Sequence, residues 1–350
     1  ASVGVAFKLA HALAKQSAAV RAAVELRDHL DLVALGTVAD MVPLTGENRI
    51  LVRAGLERLE ASSKAGIRAL REVAGVTGEV KAGQIGFRLG PRINAAGRLA
   101  DAMAVLELLL TDDAAQAGRL AQLLDEHNRE RRAVQERIAK EALAAVAPDD
   151  RVIVVAHDEW HPGVIGIVAS RLVQQYYRPA VVIGAEGRGS CRSIPGFNIV
   201  AALRDCAPLL EKAGGHELAA GLTLKPGKFE ELRRALNRLA APLPAEIFTP
   251  VLRVDATLRL HELTEDFFAA LAQVEPCGIE NPTPCFVVEG VRLRGAPRVV
   301  GKNHLRFTVT DGETAAAAVW GGMADRVLPG GEFALACVPE LDAFTGTPTV

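Results

Sequence analysis

Two short stretches of this 350-residue chain combine residue types that can seat a phosphate. Gly214-Gly215-His216, followed by Glu217-Leu218-Ala219-Ala220-Gly221, sets two glycines beside a histidine. Without Cβ atoms the backbone can come close to a ligand and adopt positive φ. The imidazole adds a donor that is neutral or cationic near neutral pH, and bare N–H groups beside it suit an anion. The same tripeptide also makes an ordinary glycine turn. Gly187-Arg188-Gly189-Ser190-Cys191-Arg192-Ser193 is the second stretch. Alternation in a short strand sends Ser190 and Arg192 to one face, where a hydroxyl beside a planar guanidinium fork can grip a terminal phosphate. An edge strand with solvated arginines explains this stretch equally well by itself. The glycine–histidine turn in the same region tips the reading towards a phosphate pocket.

Four further stretches carry donors or carboxylates. Gly90-Pro91-Arg92-Ile93-Asn94-Ala95-Ala96-Gly97-Arg98-Leu99 places small residues at a helix start, with Arg92, Asn94 and Arg98 as donors nearby. Any of these could meet a backbone phosphate, although a surface arginine is more often simply solvated. His161-Pro162-Gly163-Val164-Ile165-Gly166 opens a helix after a strand. Free N–H groups at such a start suit an anion, yet close helix–sheet packing is the better account of its glycines. Asp40 ends an apolar segment beginning at Asp31, where a carboxylate either ligates a metal or caps the next turn. Two-ion phosphodiester hydrolysis needs several carboxylates and histidines, and no second cluster lies beside Asp40. Arg292, Arg294, Arg298, Lys302 and Arg306 are interleaved with His304 and Phe307, without an acid between Val291 and Val309. On a β-barrel they would form a face where phosphates meet arginines and bases stack on an aromatic; an ordinary solvated hairpin is the alternative, but five basic residues without one acid lean towards function.

Elements to position these residues are legible along the chain. Residues 1–110 read as mostly helical, interrupted by a buried strand or strand-to-loop element over 31–40. The stretch 112–147 reads as one long helix, capped by Thr111-Asp112-Asp113 and stopped by Pro148. Its densely charged middle, 125–132, predicts a rod that bridges domains in solvent. Strands at 151–155 and 179–184 alternate with helices at 164–177, 198–210 and 227–239, which argues an α/β domain. From Phe248 onward short strands at 251–260, 285–293, 305–310, 315–319 and 332–338, with one helix at 262–272, predict a small OB-like β-barrel.

Composition bounds the function. At 350 residues two or three domains are expected. Hydrophobic residues make up 49% and charged residues 23%, a globular balance. A net charge of −2 means that any nucleic acid is held by local patches rather than by a globally basic protein. Five cysteines, without a Cys-x-x-Cys pair or zinc spacing, fit a reduced cytoplasm. No apolar run approaches membrane-spanning length, and no signal peptide is recognisable. The chain starts at Ala1 and runs straight into an apolar helix-like stretch, and it stops after a turn at Thr347-Pro348-Thr349-Val350. Both ends read as cut, and an internal portion of a longer protein is expected.

Taken in order, the segment ending Gly36-Thr37-Val38-Ala39-Asp40, the Gly90–Arg98 stretch, His161-Pro162-Gly163, Gly189-Ser190-Cys191-Arg192-Ser193 and Gly214-Gly215-His216 resemble the RecJ family. This family comprises single-strand-specific 5′→3′ DNA exonucleases of the DHH phosphoesterase superfamily, and the resemblance runs over essentially the whole chain. It implies an α/β multidomain fold: the C-terminal part of a DHH domain at 1–110, a long connecting helix at 111–148, a DHHA1 substrate-binding domain at 149–245 and an OB-fold nucleic-acid-binding domain at 246–350. It implies Asp40 as a catalytic ligand for Mn²⁺ or Mg²⁺, and Arg98 as a catalytic arginine facing the scissile region. Ser190 and Arg192 match the family's 5′-phosphate pocket, and Gly214, Gly215 and His216 its DHHA1 substrate motif. Single-stranded DNA is the implied substrate, in DNA repair and recombination, with a helicase and a single-strand-binding protein as partners. The Asp-x-Asp and Asp-His-His motifs that hold most of the family's metals do not occur in the chain and are expected upstream, so this portion alone is expected to be inactive. Two other readings remain open: a DHH/DHHA1 phosphodiesterase of short oligonucleotides or cyclic dinucleotides, and a non-catalytic single-strand-binding replication factor.

Overall fold

The computed structural model describes residues 1–99, 102–342 and 346–350, with the side chains of Arg98 and Leu99 outside that description. The chain divides into two compact units. One contains residues 1–62, 78–87 and 252–350; the other contains 63–77 and 88–251.

In the first unit, helices span Ser2–Gln16, Leu30–Ala39 and Gly46–Glu60. The segment read as a strand over 31–40 is therefore a helix. Its Leu30, Val33, Ala34 and Leu35 are all buried, and a helix buried on most sides shows the same unbroken apolar run as a buried strand. The C-terminal part of this unit is an eight-stranded sheet of β6 (Ala256–Thr257), β7 (Phe286–Leu293), β8 (Arg298–Val300), β9 (His304–Thr310), β10 (Ala315–Trp320), β11 (Glu332–Cys337), β12 (Glu340–Leu341) and β13 (Pro348–Thr349). The path runs β11-β7-β9-β10-β13-β12, with β6 on β7 and β8 on β9, and it curls around a core containing Val288, Val291, Leu305, Phe307 and Val309. A helix at Glu265–Ala272 places Phe267 against this core.

The second unit is built on the long helix Ala114–Ala144. Asp113 caps it, accepting hydrogen bonds from the backbone N–H groups of Ala115 and Gln116. Its charged middle is not the solvent-spanning rod that the sequence predicted. Asp125, Asn128 and Arg131 are buried, because the helix packs against helices Ala65–Val73, Gly90–Leu99, Met103–Leu110 and Pro162–Tyr176. The buried charges are paired there: Asp125 holds Arg92 at 2.7 Å and also Arg129, and Arg131 donates to Asn128 and Gln135. Pairing is what allows such groups inside at all.

A five-stranded mixed sheet completes this unit: β1 (Ile153–Ala156), β2 (Ala180–Ile183), β3 (Arg188–Arg192), β4 (Leu210–His216) and β5 (Ala219–Leu224). Their order is β1-β2-β3-β5-β4, with β1 and β2 parallel and the other neighbours antiparallel. One face is covered along its length. Val181, Cys191, Ala220 and Leu222 pack there on Leu203 and Leu232, from helices Ile199–Asp205 and Phe229–Ala240. The other face is covered at β1 and β2, where Ile153, Val155, Ala180 and Val182 meet Val164, Val168 and the end of the long helix, and along part of β3, on which helix Pro162–Tyr176 packs.

Candidate nucleic-acid interface

The cross-strand register sets out the half-covered face of the second unit as a grid. Ser190 of β3 lies opposite Gly221 of β5, which lies opposite Gly214 of edge strand β4. Two residues along in one direction, Arg192, Ala219 and His216 form the next row; in the other direction the row is Arg188, Thr223 and Lys212. Side chains at i and i+2 share a face, so four basic residues sit at the corners of this patch. Its middle row carries one hydroxyl and two glycines. Opposite them, on the buried face, burial pushes the Cys191 thiol up to about 12, which leaves it a packing group rather than a nucleophile.

Helix Pro162–Tyr176 makes the wall. His161 caps it, its Nδ1 accepting from the Gly163 N–H at 3.1 Å, and Pro162 occupies the first turn. A Cβ on Gly166 would stand 2.9 Å from Ser190 Oγ and 3.4 Å from Arg192 Nη2. The glycine therefore serves close approach, as its packing reading held, and what it approaches is the candidate phosphate-binding pair itself. Arg192 Nη1 donates to Ser190 Oγ at 3.3 Å and to the Cys191 carbonyl at 2.8 Å, which fixes the fork beside the hydroxyl. Pro162, Ile165, Arg188, Ser190, Lys212 and Gly214 are among the residues lining an open depression of about 410 Å³.

Gly214-Gly215-His216 is the end of β4 rather than a turn; the turn is Glu217-Leu218. Gly215 has φ +145°, and a Cβ there would meet the Ala219 carbonyl oxygen at 2.5 Å. The sequence thus brings Ser190, Arg192, Gly214 and His216 onto one face, as expected of a shared pocket. Arg188 and Lys212 were missed: the alternation that joins Ser190 and Arg192 already puts Arg188 on their face, whereas only the cross-strand register brings Lys212 there.

The remaining sequence candidates fall elsewhere. Arg92 was read as a substrate donor, but its guanidinium is committed inside the unit. Nε binds Asp125 at 2.9 Å, Nη1 the Arg88 carbonyl at 2.6 Å and Nη2 the Val73 carbonyl at 3.2 Å. That geometry makes Arg92 a positioning residue for helix Gly90–Leu99. Asn94 is exposed on the same helix, whereas the Arg98 side chain lies outside the described residues. Asp40 is exposed at the C-cap of helix Leu30–Ala39, its backbone N–H bonded to the Gly36 carbonyl. Among the described residues no group of three His, Cys, Asp or Glu side chains could hold a metal ion. One carboxylate does not make a two-ion centre, so the residues described do not by themselves fit the metal.

On the curled sheet of the first unit, the basic candidates are all exposed. Arg298 lies directly opposite Arg306, and Arg292 opposite Thr310. Arg294 and Lys302 lie in the stretches either side of β8. Arg292 pairs with Glu332 at 3.2 Å across solvent. Two arginines directly opposed weaken a strand pair, and among the described residues no carboxylate pairs with either of them. Phe307, expected as a stacking surface, is buried with Leu305 and Val309 in the core. The strand alternates His304, Arg306 and Thr308 outward against Leu305, Phe307 and Val309 inward.

These two sheets correspond to known domain types. Residues 149–241 match the DHHA1 domain model and residues 254–350 the RecJ OB domain model. The chain is 38% identical over 350 residues to the single-stranded-DNA-specific exonuclease RecJ of Bacillus subtilis, covering 96% of this chain and 43% of that protein. It is 41% identical to the RecJ of Thermus thermophilus, covering 80% of this chain and 41% of that protein. The crystal structure of the Thermus thermophilus RecJ in complex with Mn²⁺ superposes with a TM-score of 0.83 and 36% identity, covering 94% of this chain and 49% of that one. A corresponding Mg²⁺ complex matches with the same TM-score over 94% of this chain and 52% of that one. A DHHA1 sheet and a curled RecJ-type OB sheet therefore define the class. The chain belongs to the RecJ family. It spans about half the length of the curated relatives it matches. Among the described residues, no helix is long and apolar enough to cross a membrane.

Proposed function

We propose that this chain forms the strand-holding part of a single-strand-specific 5′→3′ DNA exonuclease acting in DNA repair and recombination. The observation that carries the reading is the Ser190–Gly221–Gly214 row, flanked by Arg192 and His216 and walled by Gly166. A terminal phosphate offers several oxygens. A guanidinium fork with a hydroxyl beside it supplies charge-assisted donors in matching geometry, and glycines let the backbone come close. Ser190 and Arg192 would hold the 5′-phosphate, with Gly214 and His216 on the same face and Gly215 letting the strand between them close onto β5. The basic outer face around Arg292, Arg294, Arg298, Lys302 and Arg306 would track the strand through its backbone charge. Such a track favours a long strand over a cyclic dinucleotide.

The relatives crystallised with Mn²⁺ and Mg²⁺ support a divalent metal for hydrolysis, with Asp40 contributing one ligand and Arg98 acting near the scissile bond. The described residues supply no companion donors for Asp40, and residues 1–350 alone are therefore expected to release no mononucleotides. A helicase and a single-strand-binding protein are the partners this activity would need, in the cytoplasm.

Fluorescence anisotropy with single-stranded oligonucleotides differing only at the 5′ end tests the reading. The phosphorylated oligonucleotide should bind more tightly than the hydroxyl one, and Arg192→Ala should remove that preference at a loss of about tenfold. Equal binding of both ends by the unmodified protein would refute the pocket.

A further inference from the structure

A second depression, of about 560 Å³, is lined only by residues of the first unit, and its chemistry is the reverse of the basic grid. Helix Gly46–Glu60 presents Arg53, Leu56, Glu57 and Glu60 to it, one face at helical spacing. Helix Glu265–Ala272 supplies Phe268, Leu271 and Ala272 in the same way. The third side is the run Val338-Pro339-Glu340-Leu341, which ends in β12. Glu57, Glu60, Glu79, Glu275 and Glu340 line the depression against only Arg53 and Lys81, a surplus of three negative charges. Glu57, Glu79 and Glu340 are exposed and have no ion-pair partner among the described residues.

The walls are fixed before anything binds. Arg49, on the helix of Glu57, donates through Nη2 to the carbonyls of Gln273 at 2.7 Å, Val274 at 3.0 Å and Glu275 at 3.3 Å, and so holds the end of helix Glu265–Ala272. A preformed cleft avoids the cost of ordering its walls on binding. The third wall offers open backbone. Among the described residues β12 is the edge of its sheet and pairs with β13 alone. The Asp342 N–H bonds the Thr347 carbonyl at 2.9 Å. The next pair, Leu341 with Pro348, is therefore a non-hydrogen-bonded one, and the N–H and C=O of Leu341 point to the open edge. Pro348 suits that position, because it has no N–H to give.

We propose that this groove docks an extended segment of a partner protein in which apolar side chains are flanked by lysine or arginine. The apolar side chains meet Phe268, Leu271 and Leu341, the cations meet the glutamates, and the backbone adds to β12 through Leu341. The volume lies in the range of ligand sites. Charge decides among occupants. The carboxylates that attract a basic peptide repel a nucleic-acid strand, and an acidic or purely apolar segment leaves them unmatched. Docking here needs neither the end pocket nor a metal. A protein held in this groove is fastened to the same unit as the basic face around Arg298 and Arg306.

Random nonapeptides displayed on phage and selected on the 350-residue chain test the groove. Enriched sequences should carry apolar residues at alternate positions, with Lys or Arg on both sides. Labelled copies should bind in fluorescence anisotropy and weaken as salt rises. Glu57→Lys combined with Glu340→Lys should cost them about tenfold in affinity. Methylating single peptide nitrogens in turn should reveal one that costs about tenfold, the donor to the Leu341 carbonyl, between neighbours that cost nothing. Both charge reversals fall at exposed positions, so thermal melting should be unchanged; should it fall, the methylation scan on the unmodified chain carries the test. No enrichment, enrichment of acidic or uncharged sequences, equal binding by the double variant, or a scan without alternation overturns the proposal. So does a dimer of the chain in sedimentation that the two reversals dissociate, since the occupant is then a second copy.

Discussion

The two sheets of this molecule carry similar numbers of basic residues and arrange them in opposite ways. In the DHHA1 sheet, four basic residues surround a floor of small residues and one helix walls the site, with Gly166 keeping Ser190 and Arg192 accessible. In the OB sheet the cations are spread along an outer face, with a core beneath it and no wall beside it among the described residues. A confined seat discriminates, because it admits one chemical group in one orientation. An open face attracts any polyanion in proportion to its charge. On the proposed reading, end selection and strand retention would be separable and would fall to different units of the chain.

The comparison breaks first at the level of folding. Asp125→Ala strands Arg92 beside the long helix, with side chains only 14% and 7% exposed in the native pair, and should destabilise the unit of 63–77 and 88–251 by about 3–5 kcal/mol. Scanning calorimetry should show one transition falling while the other stays in place. A single shared transition moving as a whole would erase the division. A smaller effect is expected from Gly166→Val, whose Cβ enters the space beside Ser190 Oγ. Affinity for phosphorylated 5′ ends should drop by roughly ten- to a hundredfold, in line with the usual cost of overpacking, while hydroxyl-ended strands bind as before. Equal losses for both ends would mean that the confined seat does not discriminate.

Arg298→Ala or Arg306→Ala should weaken long strands only about threefold each and reduce the salt slope by about 0.7. Both kinds of 5′ end should suffer alike, and an end-dependent loss would contradict the division of labour. The smallest effect is expected at the underside of the grid. Cys191 is buried with its thiol raised to about 12, and the thiolate is the reacting species. It should resist alkylation at about pH 8, near the ordinary thiol range, until the protein unfolds, which peptide mass mapping after iodoacetamide treatment can follow.

Much of the architecture was legible because local patterns were strong. The alternation of apolar strands with helices over 149–241, and the short strands that follow it, put both sheets close to their observed places. Two misreadings share one cause. Leu30–Ala39 and the middle of Ala114–Ala144 were judged from composition, whereas their neighbours decide burial: an apolar decapeptide fits helix or strand, and Asp125 enters a core when Arg92 meets it there. The site was legible in part. Spacing alone put Ser190, Arg192 and also Arg188 on one face, but Lys212 joins them only through the pairing of β4 with β5, which no local pattern encodes. Phe307 is different, because the alternation within β9 already pointed it inward.

The desolvated contact between Arg92 and Asp125 has a mechanical side. Arg92 grips Asp125 and so ties helix Gly90–Leu99 to the long helix at a point away from either end of the latter, while its bond to the Val73 carbonyl joins helix Ala65–Val73 to the same point. Two helices joined only by greasy surfaces can slide by small steps, since one apolar contact replaces another at little cost. A charge fork has no equivalent neighbouring position to slip to. Within this unit that fork would couple the two helices, so a shift of the long helix would be passed on to the segment that bears Asn94 and Arg98.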